Sequence, residues 1–383
     1  MSRIVMLVHN DMQADPRTAR EARTLADAGH SVVVLALKSA LTPSIEQGDG
    51  YVVKRVASPT TASMRRPLRK ALQLRRRRDS FVAAAAAEHP DIIHCKDTDT
   101  LAAGAHAADA TGARLVYDAH ELFPDMLAGH GRDSWVVQTY WRRLEARLIP
   151  RADLVITVNE SRAGVLNERY GVEPVTVLNT PALEPLADRA VLREATGAAD
   201  SDLIVLYQGG LIGGRALPRL VEAVTAVDGA LLVIEGDGPE MEAMRGAASA
   251  SGHEDRVRFM GWIPAETLHA HACGADIGVV IYENTSLNNY HAAPNKLYSY
   301  LMAGLPIVSS DFPGLREVVV SGGVGEVFEP SSAESIASAI RLLADEPEMR
   351  QEMKTRARAL AEERYNWAVD ASHLLEAYER LGT

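Results

Sequence analysis

Cysteine is nearly missing: Cys95 and Cys273 are the two thiols in 383 residues. They sit far apart, each next to or within an apolar run, and no zinc-ligand spacing exists. A reduced, cytoplasmic setting is therefore expected. No stretch approaches the roughly 18 apolar residues that a membrane-spanning helix needs. The opening run Arg3–Val8 is too short for a secretory leader, and polar His9-Asn10-Asp11 follows at once, so it reads as a first strand. Excess positive charge is also lacking. The net charge is −11, which argues against a general nucleic-acid binder. Finally, no G-x-G-x-x-G follows the first strand, and that counts against a nicotinamide dehydrogenase.

What is present is a repeated grammar. At roughly 150 residues per domain, the length suggests two domains. The 47% hydrophobic content is enough for sizeable cores. In the first half RIVMLVH, SVVVLAL, DIIHC, RLVYDAH, LVITVN and VTVLN are short Val- and Ile-rich runs. Helix-period stretches such as 18–28 and 135–148 lie between them. In the second half LIVLYQG, ALLVIEG, VRFMG, IGVVIY, PIVSS and GEVFE do the same. Continuous apolar strands alternating with helices predict parallel sheets covered on both faces. The proline-bearing VLNTPALEP, residues 177–185, looks like the junction. The expectation is an α/β chain of two doubly wound, Rossmann-like domains facing a central cleft. Residues 1–181 form the first, 182–365 the second, and 366–383 a last amphipathic helix packing back on the first.

One segment breaks the acidic balance. RRPLRKALQLRRRR, residues 65–78, holds eight basic side chains. It reads as a solvated helix face, as a patch for an anionic acceptor, or as a peripheral contact with anionic lipid headgroups. No aromatic or long apolar face accompanies the run itself.

Ligands of such sheets sit outside the carboxyl ends of the strands. After the first strand, Asp15 is placed to cap a helix with Pro16 at its first position. Arg17 then points near the cleft or lies on the surface. After DIIHC, Asp97-Thr98-Asp99 has the form of a D-x-D metal pattern. Acids at a helix start are explained as well by capping and the dipole, so no metal is expected. After RLVYDA come His120 and Glu121, an adjacent polar pair at a strand end. After LIVLYQ, Gly209, Gly210, Gly213 and Gly214 let backbone approach a ligand, and Arg215 is expected to open a helix. Glycines, a helix start and a cation together make an anion site. DGPE supplies a second glycine turn through Gly238. In GWIP, Trp262 reads either as one wall of a slot for a base or as a turn residue.

PNKLYSYLMAG predicts a helix capped by Asn295 and stopped at Gly304, with Pro306 preventing its continuation. Lys296 falls in its first turn, where the helix dipole disfavours a cation. An anion bound at the same helix end would explain it. Two cations at two helix starts suggest a diphosphate.

The segments DPRTAREARTLADAGHSVVVL, LVYDAHELFPD, YQGGLIGGRALPRLVEAV, VIEGDGPE, DRVRFMGWIP and PNKLYSYLMAGLPIVSSDFPG follow one another over nearly the whole chain. In order and spacing they resemble glycosyltransferase family 4, of the GT-B fold. The resemblance implies a retaining hexosyl transfer from a nucleoside-diphosphate sugar, UDP- or GDP-linked, with no bound metal or other cofactor. Arg215 and Lys296 would hold the donor diphosphate and His120 would lie beside the reacting sugar. Gly210, Gly213, Gly214, Gly238, Trp262, His291, Asn295 and Ser299 would belong to the donor side, and Asp15, Arg17 and Glu121 to the acceptor side. The acceptor is expected to be a natural product or a cell-envelope glycan, and the basic run favours an anionic one.

The pattern is broken in one place. Family members carry two Glu separated by seven residues near this last helix; here those positions are His291 and Ser299. Ser299 can make a hydrogen bond but not a carboxylate contact. The departure implies an unusual donor, a lower affinity, or a non-catalytic relative that binds nucleotide or glycan.

Overall fold

The computed structural model describes residues 1–13, 15–57, 66–127 and 134–382. The chain divides into two compact units, Met1–Val177 with Ala371–Thr383, and Leu178–Asp370.

The first unit contains β1 (Arg3–Leu7), α1 (Pro16–Asp27), β2 (Ser31–Leu37), β3 (Ile45–Gln47), β4 (Val52–Val56) and α2 (Arg66–Ala87). It continues through β5 (Ile92–Lys96), α3 (Thr98–Thr111), β6 (Arg114–Ala119), α4 (Phe123–Met126) and α5 (Ser134–Leu148). It ends its main run with β7 (Leu154–Thr157), α6 (Glu160–Tyr170) and β8 (Val175–Thr176). The sheet order is β3-β4-β2-β1-β5-β6-β7-β8. All pairs are parallel except β3 with β4. Ile4, Met6, Val32 and Val34 lie fully inside, and alternate residues Val5, Leu7, Val33 and Leu35 are buried too. Burial of both faces is why these strands read as unbroken apolar runs. The edge pair β3–β4 is the exception: Val-Val-Lys-Arg-Val carries charge on a half-buried strand, and the periodic reading passed over it.

The second unit contains α7 (Ala190–Thr196), β9 (Leu203–Gln208), α8 (Leu217–Thr225), β10 (Ala230–Glu235), α9 (Met241–Ser251), β11 (Val257–Gly261) and α10 (Ala265–Gly274). Then come β12 (Ile277–Val280), α11 (Leu287–Tyr290), α12 (Asn295–Met302), β13 (Ile307–Ser310), α13 (Pro313–Val319) and β14 (Gly325–Phe328). Helices α14 (Ala333–Asp345), α15 (Pro347–Glu363) and α16 (Trp367–Arg380) follow. The strand order is β11-β10-β9-β12-β13-β14. Ile204 and Leu206 of β9 join one core, Val205 and Tyr207 the other.

The division falls at Val177 and at Asp370, against expected changes at 181 and 365. Hydrogen bonds supply the reason. Asn179 donates to Asn295 (2.6 Å), the Thr180 hydroxyl to Asp370, and the Trp367 amide to Pro181 (2.9 Å). From there on α16 belongs to the first unit, where Leu374, Ala377, Tyr378 and Leu381 share a core with Ile4 and Met6.

In each sheet the strand order reverses once beside the first strand of its unit. The reversals lie between β1 and β5 and between β9 and β12. Ligands are expected outside the carboxyl ends of those strands.

Candidate functional site

In the second unit the reversal point is built from two loops pressed together. The loop after β9 is held by bonds from the Gly209 amide to Glu235 (2.8 Å) and from the Leu211 amide to Asp237 (3.0 Å). Gly209 has φ +137°, and a Cβ there would stand 3.0 Å from Lys296 Nζ. Gly238 has φ +155°, and its Cβ would stand 2.4 Å from the Leu211 carbonyl. Backbone in this left-handed region, this close to neighbours, requires glycine. Gly214 accepts from the Glu283 amide at 2.9 Å, and Glu240 borders Gly213.

Two cations converge on these loops. The Arg215 guanidinium lies 3.6 Å over the Tyr282 ring, and Lys296 Nζ lies 3.7 Å over the Tyr207 ring. The ring faces attract both charges. One guanidinium nitrogen of Arg215, Nη1, is buried without a hydrogen-bond partner among the described residues. Among the described residues no carboxylate pairs with either cation. Desolvation, with Arg215 adding to it, pushes the Lys296 pKa well below the usual lysine range. Two unneutralised cations beside closely packed backbone suit an anion.

Two local expectations change. Arg215 does not open α8: the helix begins at Leu217, and its N-cap is Ala216, with φ +46°. Such a conformation is costly for a residue with a Cβ. Asn295 does not cap α12 either. Pro294 holds the cap position and Asn295 is the first helical residue, its side-chain oxygen receiving Asn179. Trp262 is 82% exposed. His291 ends α11, and the Ser299 hydroxyl donates to the Asn295 carbonyl at 3.2 Å.

In the first unit the acceptor-side residues are largely engaged internally. Asp15 does cap α1, accepting from the Thr18 amide at 3.1 Å. It also takes Lys96 Nζ at 2.6 Å and Asn10 at 2.7 Å. Burial works to raise its pKa, but Lys96 and these donors bring it down to about 2. Arg17 is neither a surface residue nor a free cation. It is 1% exposed, with Nε 2.8 Å from Glu21 and Nη2 3.2 Å from Asp118. Glu21, His94 and Asp118 have ligand atoms within 4.8 Å of one another, the geometry of a metal site. Arg17 already supplies the positive charge there. Burial raises Glu21, whereas Arg17 and His94 overcome the burial of Asp118 and hold it low.

His120 follows β6, and its Nε2 is buried with no hydrogen-bond partner among the described residues. Desolvation, then Arg17 and Lys96, depress its pKa to about 3, so the ring is neutral at pH 7. Glu121 pairs with Arg162 at 2.9 Å. The two acids of the D-x-D pattern diverge: Asp97 accepts the Glu121 amide (3.0 Å) and Asp99 meets His9 Nδ1 (2.5 Å). Asp97 stands at the N-cap of α3 without a capping bond from its side chain. Burial, with Asp99 and Glu121 adding to it, raises its pKa well above the usual carboxylate range. Arg77 donates to His9 Nε2 at 2.5 Å, which leaves Nδ1 as the donor to Asp99.

Two family descriptions match successive parts of the chain: Glycosyltransferase Family 4 over residues 17–181 and Glycosyl transferases group 1 over residues 188–360. The chain belongs to glycosyltransferase family 4. It is similar to the glycogen synthase of Mycobacterium tuberculosis, 26% identical over 92% of this chain and 87% of that one. It is also similar to the phosphatidyl-myo-inositol mannosyltransferase of Mycolicibacterium smegmatis, 25% identical over 94% and 87%. The alpha-D-kanosaminyltransferase of Streptomyces kanamyceticus is 26% identical over 51% of this chain, which spans half the length of that relative. Among solved structures, the sucrose-phosphate synthase of Thermosynechococcus elongatus superposes with a TM-score of 0.84 at 18% identity, covering 100% and 99% of the two chains. HepE of Anabaena, solved with UDP-glucose, gives 0.76 at 17% identity over 99% and 100%. The expected GT-B fold is therefore the fold of this glycosyltransferase.

Sequence reasoning missed the two tyrosines under the cations. Tyr207 and Tyr282 end apolar runs and were read as strand residues; their rings gain meaning only once Lys296 and Arg215 are placed above them.

Proposed function

We propose that this glycosyltransferase moves a sugar from a nucleoside-diphosphate sugar to an acceptor, with retention at the anomeric carbon and without a metal. The observation that carries the reading is the pair Arg215 and Lys296, unneutralised over aromatic rings at the reversal point of the second sheet. Negative charge develops on the diphosphate as the sugar–phosphate bond breaks. Fixed cations in a desolvated setting stabilise that charge without reorganising. The second unit would bind the donor and the first the acceptor, with His120 as a neutral hydrogen-bonding group beside the sugar. HepE of Anabaena, whose structure holds UDP-glucose, supports this kind of donor. A relative named as a phosphatidyl-myo-inositol mannosyltransferase and another named as an alpha-D-kanosaminyltransferase support a cell-envelope glycan and a natural product as the two acceptor classes.

The test is calorimetric titration with UDP, GDP and ADP in the presence of a chelator, beside turnover of Lys296→Ala. One diphosphate should bind tightly. The variant should keep its circular dichroism and lose about 10²–10³ in turnover. Wild-type turnover in Lys296→Ala would remove the site assignment. The departure at His291 and Ser299 motivates a second reading, a non-catalytic relative of the same fold. Slow hydrolysis of the donor without acceptor belongs to the first reading alone.

A further inference from the structure

The first unit carries a groove that opens beside the carboxyl ends of β1 and β5. It has a volume of about 1330 Å³ and lies between α2, α3 and α5. Its inner end is polar, formed by His9, Asp99 and Thr100 near the carboxyl ends of β1 and β5. Its walls include Leu74, Phe81, Trp141, Leu144 and Leu148. Six arginines line it, Arg75, Arg77, Arg78, Arg143, Arg147 and Arg151, against two aspartates, Asp99 and Asp109. Arg151 is taken by Asp109 at 2.5 Å and Arg78 by Asp79 at 2.7 Å, and Arg75 reaches the same Asp79 at 4.0 Å. Among the described residues no carboxylate comes within ion-pair distance of Arg143 or Arg147. This concentration of positive charge stands on a chain of net charge −11.

The first two turns of α5 add a second, independent observation. Trp135 is 67% exposed, Val136 49% and Tyr140 52%, and all three line the same groove. Large apolar side chains left in water, bordered by cations, mark an interaction surface. Trp and Tyr favour the boundary between headgroups and acyl chains, and arginines there attract lipid phosphates. Within the basic run no aromatic face is visible. The tertiary fold supplies one by packing α5 beside α2 over α3. Of that run, Arg65 lies outside the described residues, and Arg75, Arg77 and Arg78 line the groove.

We propose that this groove is a docking site for an anionic phospholipid surface. The arginines take the lipid phosphates, and Trp135, Val136 and Tyr140 enter the headgroup boundary. The proposal stands independently of the donor site, because it requires no nucleotide.

The experiment is co-sedimentation of the full chain with phosphatidylcholine vesicles, pure or with about one-third phosphatidylglycerol, while tryptophan emission is followed. The wild type should bind the anionic vesicles at least tenfold more tightly than the neutral ones and shift its emission to the blue. The double variant Arg143→Glu/Arg147→Glu should lose at least tenfold in binding. Trp135→Ala/Tyr140→Ala should weaken binding and lose most of the blue shift; both pairs are surface changes that leave the core intact. Lys296→Ala should bind vesicles as the wild type does, so a failed donor site and a failed lipid site are distinguishable. Absence of binding, equal binding to neutral vesicles, or indifference to the arginine reversal would overturn the proposal. So would a Trp135/Tyr140 variant that binds vesicles and a soluble polyanion as the wild type does, because the surface would then be a general anion binder.

Discussion

Lys296 shows what one misplaced charge can tell. A cation in the first turn of a helix opposes the dipole, and this one is also drawn inward over Tyr207. Its pKa is therefore pushed well below the usual lysine value, by desolvation first and then by Arg215. A diphosphate beside it would favour the charged form and raise that pKa again. Between the free and bound values, binding must take up a proton, and affinity must fall as pH rises through the free value. Calorimetry of the nucleoside diphosphate in buffers of different ionisation enthalpy reads this directly. Proton uptake should grow with pH for the wild type and vanish in Lys296→Arg. His120 gives the complementary case. With its pKa near 3, its imidazole resonances should stay flat from pH 8 to about 5 in an NMR titration. A midpoint near the ordinary histidine value would show that the ring is solvated. The dipole argument made Lys296 legible in the sequence. Nothing in the sequence could show that Arg17 is spent on Glu21 and Asp118, because those partners come from one turn along its own helix and from a strand a hundred residues away.

At the scale of elements, the strands with two buried faces were legible because their residues are apolar throughout, and the charged strand β4, next to the sheet edge, was not. Helix starts were read to within a residue or two, yet that margin matters. Moving the start of α8 from Arg215 to Leu217 turns Arg215 from a helical residue into part of the loop that meets Tyr282. The loops themselves depend on close backbone contact. Gly238→Ala would place a Cβ 2.4 Å from the Leu211 carbonyl, at a φ of +155°. That should cost about 1–3 kcal/mol in stability, as overpacking does. It should also weaken nucleoside diphosphate binding, because the loop after β9 must shift. Gly246 in α9 is the internal control: a Cβ there meets nothing within 4 Å. Gly246→Ala should stabilise by about 0.5–1 kcal/mol and leave binding unchanged. Urea melts and calorimetry on both variants separate a local loop effect from a general loss of folding.

At the scale of the molecule, two sheets of the same design occupy successive halves of the chain, and their alternating grammar was readable without a structure. The path of the last helix was harder to read in detail. Its amphipathic pattern shows that one face is buried but not which atoms meet it. In the structure Leu374, Ala377, Tyr378 and Leu381 complete a core begun by β1 and β2, and the Tyr378 hydroxyl bonds His94 Nδ1 at 2.6 Å. The first unit therefore closes only when the final residues arrive, nearly 200 positions after its last strand. Such late, non-local closure should be expensive to disturb. Leu374 is fully buried, so Leu374→Ala should cost about 2–5 kcal/mol. Tyr378→Phe keeps the packing and strands the imidazole nitrogen, for about 1–3 kcal/mol. Both should lower the midpoint of urea unfolding followed through the fluorescence of Trp135 and Trp141. A chain ending at Asp370 should leave Ile4, Met6 and Val34 open to water and accumulate as insoluble protein. If that shortened chain instead unfolded at the wild-type midpoint, α16 would be an accessory of the first unit rather than a part of its core.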